Sequence, residues 1–290
     1  NNPYAPTESF HMSLGAYEAT AFGVAAVYAW AILRGRRTGY ERKGFFLGMA
    51  VATLIAPLQV WVGDINAELV ASYQPIKLAS MELVFHTTRY APELLGGWPN
   101  GQSVRFGFHI PDLLSWLAFH NVTHPIIGLD SVPRFFWPPY QYIHVEWQLM
   151  LLAGGASAAM TAFFWLFLAR NFLRNVRRGA RHITENVLPL DGFVGKLMLL
   201  GGVALGPLTF LAILCGWGVT EMGRQPWVVY GKLLVADAVQ PAPYVNISFI
   251  IFVGIYVILG LTLIYSLLHL ARETIKLRTP RAMVMAGGDE

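Results

Sequence analysis

The densest group of reactive side chains in this sequence closes a long apolar run: Gly216-Trp217-Gly218-Val219-Thr220-Glu221-Met222-Gly223-Arg224-Gln225-Pro226, followed by Trp227. A carboxylate at the end of a membrane-length apolar segment is costly to place, so it is read as functional unless a partner explains it. Trp217 and Glu221 are four residues apart and share one face of a helix. Arg224 is three residues beyond Glu221, which suits a structural ion pair. The alternative is that Glu221 ligates a metal or relays protons while Arg224 binds an anionic group such as a haem propionate.

His11 stands at the head of the first apolar run, among the small residues Ser13, Gly15, Ala16, Ala19 and Gly23. These let a large planar group approach the backbone, or else serve close helix packing around an interfacial histidine. Met150 lies in Glu146-Trp147-Gln148-Leu149-Met150. A thioether in an apolar span is ordinarily core filler, but one His and one Met from two helices also make an axial pair for a low-spin haem. Lys77 and Glu82 belong either to a solvated loop helix or to a quinol headgroup site, where Lys77 polarises an oxygen and Glu82 accepts a proton. Asp64 caps the next segment or lines that same site. His109, His120, His124 and His144 read as surface or interface residues. His120 and His124 are spaced for one metal but lack the glutamate of the metalloprotease pattern. The single cysteine, Cys215, excludes an intrachain disulfide and any cysteine-based metal cluster.

The elements that must position these residues are membrane helices. The chain is 55% hydrophobic and 13% charged, against about 25% charged in soluble domains. Apolar runs of roughly 20 residues, enough to cross a bilayer core, predict spans at 11–33, 44–62, 143–169, 193–219 and 247–270. The fold class is therefore all-α, a polytopic membrane bundle of five spans with a long outer loop. Arg34, Arg36, Arg37, Arg42 and Lys43 follow span one. Arg170, Arg174, Arg177, Arg178 and Arg181 follow span three, and Arg272, Lys276, Arg278 and Arg281 follow span five. Alternating spans put all three clusters on one side, the cytoplasmic one. The net charge of +4 is thus a membrane-orientation signal rather than a nucleic-acid one. The resulting organisation is 1–63 (two spans), 64–142 (an outer loop too long for a simple connection), 143–278 (three spans) and 279–290 (a frayed cytoplasmic tail). Within the loop, Ile110–Leu117 predicts a short helix with Asp112 in its first turn.

Taken together, these residues resemble subunit I of the cytochrome bd-type quinol oxidases. Six blocks carry the resemblance in order: Phe10–Tyr17, Val62-Gly63-Asp64, Gln74–Glu82, Trp147–Met150, the Trp217–Trp227 stretch and Asp237-Ala238-Val239. The resemblance implies that His11 and Met150 are axial ligands of a low-spin haem b and that Glu221 ligates a high-spin haem b. It also implies that Trp217 lies between haems, that Arg224 lies near their propionates, and that Lys77 and Glu82 sit in a short quinol-oxidising loop at the outer face. It further implies a terminal haem d, or a third haem b, completed by a partner chain, together with a subunit II-like membrane partner. The location implied is a prokaryotic plasma membrane, with this chain's N-terminus outside and its C-terminus cytoplasmic. Two departures stand out. Many relatives have Phe-Arg-x-Met where this chain has Trp147-Gln148-Leu149-Met150, and the family has further spans before the one bearing His11. The chain therefore reads as a C-terminal portion, or as a homologue without the first half, whose missing helices another chain or segment supplies. Two other readings keep the motifs: a quinol-oxidising electron-transfer subunit without oxygen chemistry, and a haem-free scaffold.

Overall fold

The computed structural model describes residues 5–178, 188–239 and 242–286, with side chains through Leu270. Arg181 and His182, and the side chains of the basic residues after span five, lie outside that set. Five helices among the described residues are long and apolar enough to cross a membrane: α1 (Ala5–Leu33), α2 (Gly39–Tyr73), α5 (Tyr140–Arg177), α6 (Phe193–Gly223) and α7 (Val245–Ala286). Each matches one expected span, but the helices outrun the apolar runs. α2 continues past Val62 through Asp64 to Tyr73, because Asp64, Asn66 and Glu68 interrupt hydrophobicity without breaking a helix. α5 starts directly after Pro138-Pro139 and ends in Arg174 and Arg177, charges that suit a helix C-terminus.

In the unit comprising residues 1–238, α1 packs on α2 and α6, and α5 packs on α6 and α2. The four helices close a ring with α1 and α5 at opposite corners. The core of the ring is built from Phe22, Ala25, Ala29, Phe45, Met49, Ala52, Phe164, Met198 and Leu199. Small residues set the spacing, as expected where lipid gives no hydrophobic drive for helix association. A Cβ on Gly48 of α2 would stand 2.9 Å from the Ala25 nitrogen and 3.0 Å from the Ala21 oxygen of α1. At one end of the ring, Arg37 and Arg42 both bridge to Asp191, at 2.8 and 3.1 Å, joining the α1–α2 connection to the start of α6. The other end carries the remaining elements.

That second end is not purely helical. α3 (Pro75–Met81) is followed by a hairpin, β1 (Glu93–Asn100) with β2 (Ser103–Ile110), and then α4 (Leu113–Phe119). The hairpin is antiparallel, in register from Glu93↔Ile110 to Asn100↔Ser103, and turns through Gly101 at φ +62°. Asn100-Gly101 is the hairpin signal; the glycines and proline of β1 obscure the strand itself. A smaller pair, β3 (Trp227–Val229) with β4 (Leu233–Leu234), follows α6. Asp112 precedes α4 in a left-handed conformation and makes no side-chain cap, so the short helix is present without the expected capping contact. The second unit, residues 239–290, consists chiefly of α7. Ile247, Phe249, Ile250, Phe252, Tyr256 and Leu259 are all exposed, so the helix is apolar on every side and suited to lipid.

The α1–α2 contact yields a first prediction. In Gly48→Ala, overpacking against immobile backbone, about 1–3 kcal/mol, outweighs the ~1 kcal/mol gained in helix propensity. The thermal midpoint of the detergent-solubilised complex should fall; an unchanged midpoint would contradict this packing.

Candidate functional site

His11 of α1 faces Gly63 of α2, where a Cβ would sit 3.1 Å from the imidazole Cε1. Gln59 Nε2 lies 3.2 Å from His11 Nε2, while His11 Nδ1 is buried without a hydrogen-bond partner. Met150 of α5 faces Gly216 of α6, where a Cβ would lie 3.2 Å from Sδ. One turn earlier, Glu146 lies against Gly218, whose Cβ would overlap the carboxylate. The two glycines of Gly216-Trp217-Gly218 are thus explained: α6 meets α5 through bare backbone, while Trp217 points away and is 62% exposed. Gln59 Oε1 and Glu146 Oε2 are also buried without partners. Each such atom costs about 1–3 kcal/mol when left unsatisfied. Unsatisfied atoms beside an imidazole on α1 and one turn from a thioether on α5 are of the kind that a haem with His and Met axial ligands would meet. The small residues of α1 play a different part. Gly15 receives the Gln59 side chain at 3.2 Å and Gly23 the Phe210 ring at 3.1 Å, so these two serve packing rather than open space for a planar group.

At the end of α6, Glu221 and Arg224 pair with each other, and their side chains are 42% and 43% exposed. The structural alternative for these two residues is therefore realised, although exposed pairs of this kind add little stability. Gly223 lies against Lys77: a Cβ there would stand 2.9, 3.1 and 3.0 Å from Lys77 Cγ, Cδ and Cε. Lys77 is 4% exposed, so α3 is not a solvated loop helix. Burial holds its ammonium below the ordinary lysine range; Glu8 and Glu221 pull it back up, and Arg224 lowers it further. The start of α1, the end of α6 and α3 therefore converge on one buried cation.

Glu82, directly after α3, is also 4% exposed. Trp147 Nε1 donates to its Oε1, and Oε2 is buried without a partner. Burial, reinforced by the nearby Glu93, raises this carboxyl well above the usual range, against opposing hydrogen bonds from Trp147 and the Leu94 backbone N–H. His144 corrects the surface reading given to it: it is fully buried, with Nδ1 2.6 Å from the Met81 oxygen and Nε2 3.1 Å from the Gly96 oxygen. Gln148 accepts from the Gly96 N–H at 2.8 Å and donates to the Leu94 oxygen at 2.7 Å. His144, Trp147 and Gln148 share one face of α5 by their spacing, and that face clamps both Glu82 and β1. Gln148, where many relatives carry arginine, is committed to the strand. The roles of Glu93, His144 and Gln148 come from contacts across long loops; the only sequence signal was the spacing of His144, Trp147 and Gln148. Asp64 lies inside α2 rather than capping a segment. With Glu68 and His120 it brings three ligand atoms within 4.8 Å of one another. His124 does not join them but lies tilted against the Phe119 ring, centroids 3.8 Å apart.

Comparison with known proteins places this architecture. Residues 1–275 match the family described as cytochrome bd terminal oxidase subunit I. The putative cytochrome bd menaquinol oxidase subunit I of Bacillus subtilis (strain 168) is 31% identical over 278 residues, which is 94% of this chain and 58% of that protein. The cytochrome bd-II ubiquinol oxidase subunit 1 of Escherichia coli (strain K12) is 27% identical over 322 residues, covering 93% and 63% of the two chains. The structure of bd oxidase from Geobacillus thermodenitrificans matches with a TM-score of 0.70 and 29% identity, covering 97% of this chain and 59% of that one. The chain thus spans about three-fifths of the length of the relatives it matches. On the match over residues 1–275, it belongs to the cytochrome bd terminal oxidase subunit I family.

Proposed function

We propose that this chain is the quinol-oxidising portion of a membrane quinol oxidase, taking electrons from quinol at the outer face and passing them through b-type haems toward an oxygen-reducing haem. The observation that carries this reading is the co-burial of Lys77 and Glu82, each 4% exposed, at the end of the ring where His11 and Met150 also lie. In this reading residues 64–142 form the quinol-binding layer. The desolvated Lys77 ammonium donates to a quinol oxygen, and Glu82 Oε2 accepts the hydroxyl proton. A carboxyl with a raised pKa is the more basic acceptor, which suits it to this task. His11 and Met150 would hold the low-spin haem b. Glu221 would ligate the high-spin haem b once released from Arg224, which would then meet the propionates, with Trp217 beside both haems. Bound there, haem supplies a one-electron oxidant.

The terminal haem d or third haem b, a subunit II-like partner and the helices preceding His11 belong to the same proposal, as does the plasma membrane of a prokaryote. The Arg37–Asp191–Arg42 contacts support the orientation, because they lie at the basic, inward-assigned end of the ring. The N-terminus of this chain then lies outside and its C-terminus in the cytoplasm.

In the purified complex, His11→Ala or Met150→Ala should abolish the reduced α-band of the low-spin haem. A spectrum unchanged in both variants would contradict the ligand pair. Glu82→Gln should keep that band while lowering quinol oxidation by roughly 10²- to 10⁴-fold, the usual contribution of a positioned proton acceptor. Full quinol turnover in this variant would contradict the site.

A further inference from the structure

Resting on the reading of Lys77 and Glu82 as the quinol site, we propose that Glu93 is the second carboxyl of a proton-accepting pair with Glu82, carrying quinol protons from the buried site toward the outer solvent. Glu93 is the first residue of β1 and is 6% exposed, a burial level at which a glutamate is uncommon without a partner or a task. Its neighbour Leu94 brings the strand to Glu82, since the Leu94 N–H favours the Glu82 carboxylate and the Leu94 oxygen is held by Gln148. His144 fixes the same geometry from both sides: one ring nitrogen meets the carbonyl of Met81, the residue before Glu82, and the other meets Gly96 of β1. The distance from Glu82 to the strand is therefore set by α5 and not left to a loop. Glu93 also lies opposite Ile110, at the open end of the hairpin, next to the exposed Pro111 and Asp112.

The charges around the pair leave it to hold protons. Among the described residues, no Lys or Arg ion pair includes Glu82 or Glu93. The titratable groups on the packed elements are Tyr140, Tyr142, His144 and Glu146 at the near end of α5, Arg170, Arg174 and Arg177 at its far end, Lys77 of α3, and Arg105 and His109 of β2; α4 carries none. Arg105 and His109 are exposed, and His144 contacts the Met81 and Gly96 oxygens rather than either carboxyl. Two neighbouring buried carboxyls with no Lys or Arg paired to either favour sharing a proton over double ionisation. In agreement, burial pushes Glu93 up to about 7.

Oxidation of one quinol releases two protons and two electrons. For each proton, a quinol O–H bond breaks and a Glu82 Oε2–H bond forms. The proton then passes to the Glu93 carboxylate and from there to water beside Pro111. A haem held by His11 and Met150, as in the proposed function, would supply the one-electron oxidant for each electron. A single buried acid would have to discharge directly before the second proton could leave; the pair provides a vacant acceptor. Glu93 accepts only when ionised, so turnover should rise with pH through about 7 and fall as pH drops below it.

The test is kcat and KM against pH for the purified complex and its Glu93→Gln, Glu93→Asp and Glu82→Gln variants with a soluble quinol, alongside redox-induced difference infrared spectra. Glu93→Gln should lower kcat by roughly 10-fold or more with KM little changed, flatten the pH dependence near 7 and remove one carboxyl C=O signal. Glu93→Asp should restore part of kcat, which a purely structural loss would not predict. Wild-type kcat with an intact pH profile in Glu93→Gln would overturn the proposal, as would a lower kcat with the pH rise and carboxyl signal unchanged. If Glu82→Gln lowers quinol oxidation as expected while Glu93→Gln leaves kcat and its pH profile unchanged, this pair alone fails. If Glu82→Gln is also active, the quinol-site reading itself fails.

Discussion

At one end of a helical ring, an ammonium and a carboxylate are held out of water without being paired to each other, and the outer layer is organised around that constraint. Lys77 and Glu82 are each 4% exposed. Isolated buried charges are expensive, and proteins normally neutralise them by pairing or by a shifted pKa. Here the shift is taken in both directions, the lysine lowered and the glutamate raised. Each group is thereby brought nearer to proton exchange at neutral pH, which is what the oxidation of a hydroxyl substrate requires.

Glycine makes this arrangement possible. Gly223 gives way to the Lys77 stem, Gly216 to Met150, Gly218 to Glu146 and Gly63 to His11. In each case a polar or thioether side chain lies against bare helix backbone. The string that first drew notice is therefore two things at once. Glu221, Arg224 and Trp217 are its outward, accessible groups, and its glycines are the sockets that seat side chains carried on α3 and α5.

Much of this was legible in the sequence. The five spans followed from apolar run length, and the structure has five such helices in the same order. His11, Glu221 and Arg224 stand out as polar residues at the ends of apolar runs, whereas Met150, Lys77 and Glu82 stand out only through the blocks that carry the family resemblance. The supporting contacts were not visible. His144 looked like one more loop histidine, since nothing local reports that its two nitrogens meet carbonyls at Met81 and Gly96. Glu93 sits in a strand whose Gly and Pro content hides its pairing, and its importance arises only when the hairpin folds back onto α3. The extra turns of α2 were missed because hydrophobicity marks the lipid boundary, whereas helix propensity marks the helix end.

The central claim is that quinol is oxidised between Lys77 and Glu82. The most direct measurement is a density map of the intact complex with a bound quinol analogue. The account predicts the headgroup oxygens within hydrogen-bond distance of Lys77 Nζ and Glu82 Oε2. A headgroup seated elsewhere on the complex, with both side chains still buried and out of its reach, would contradict it.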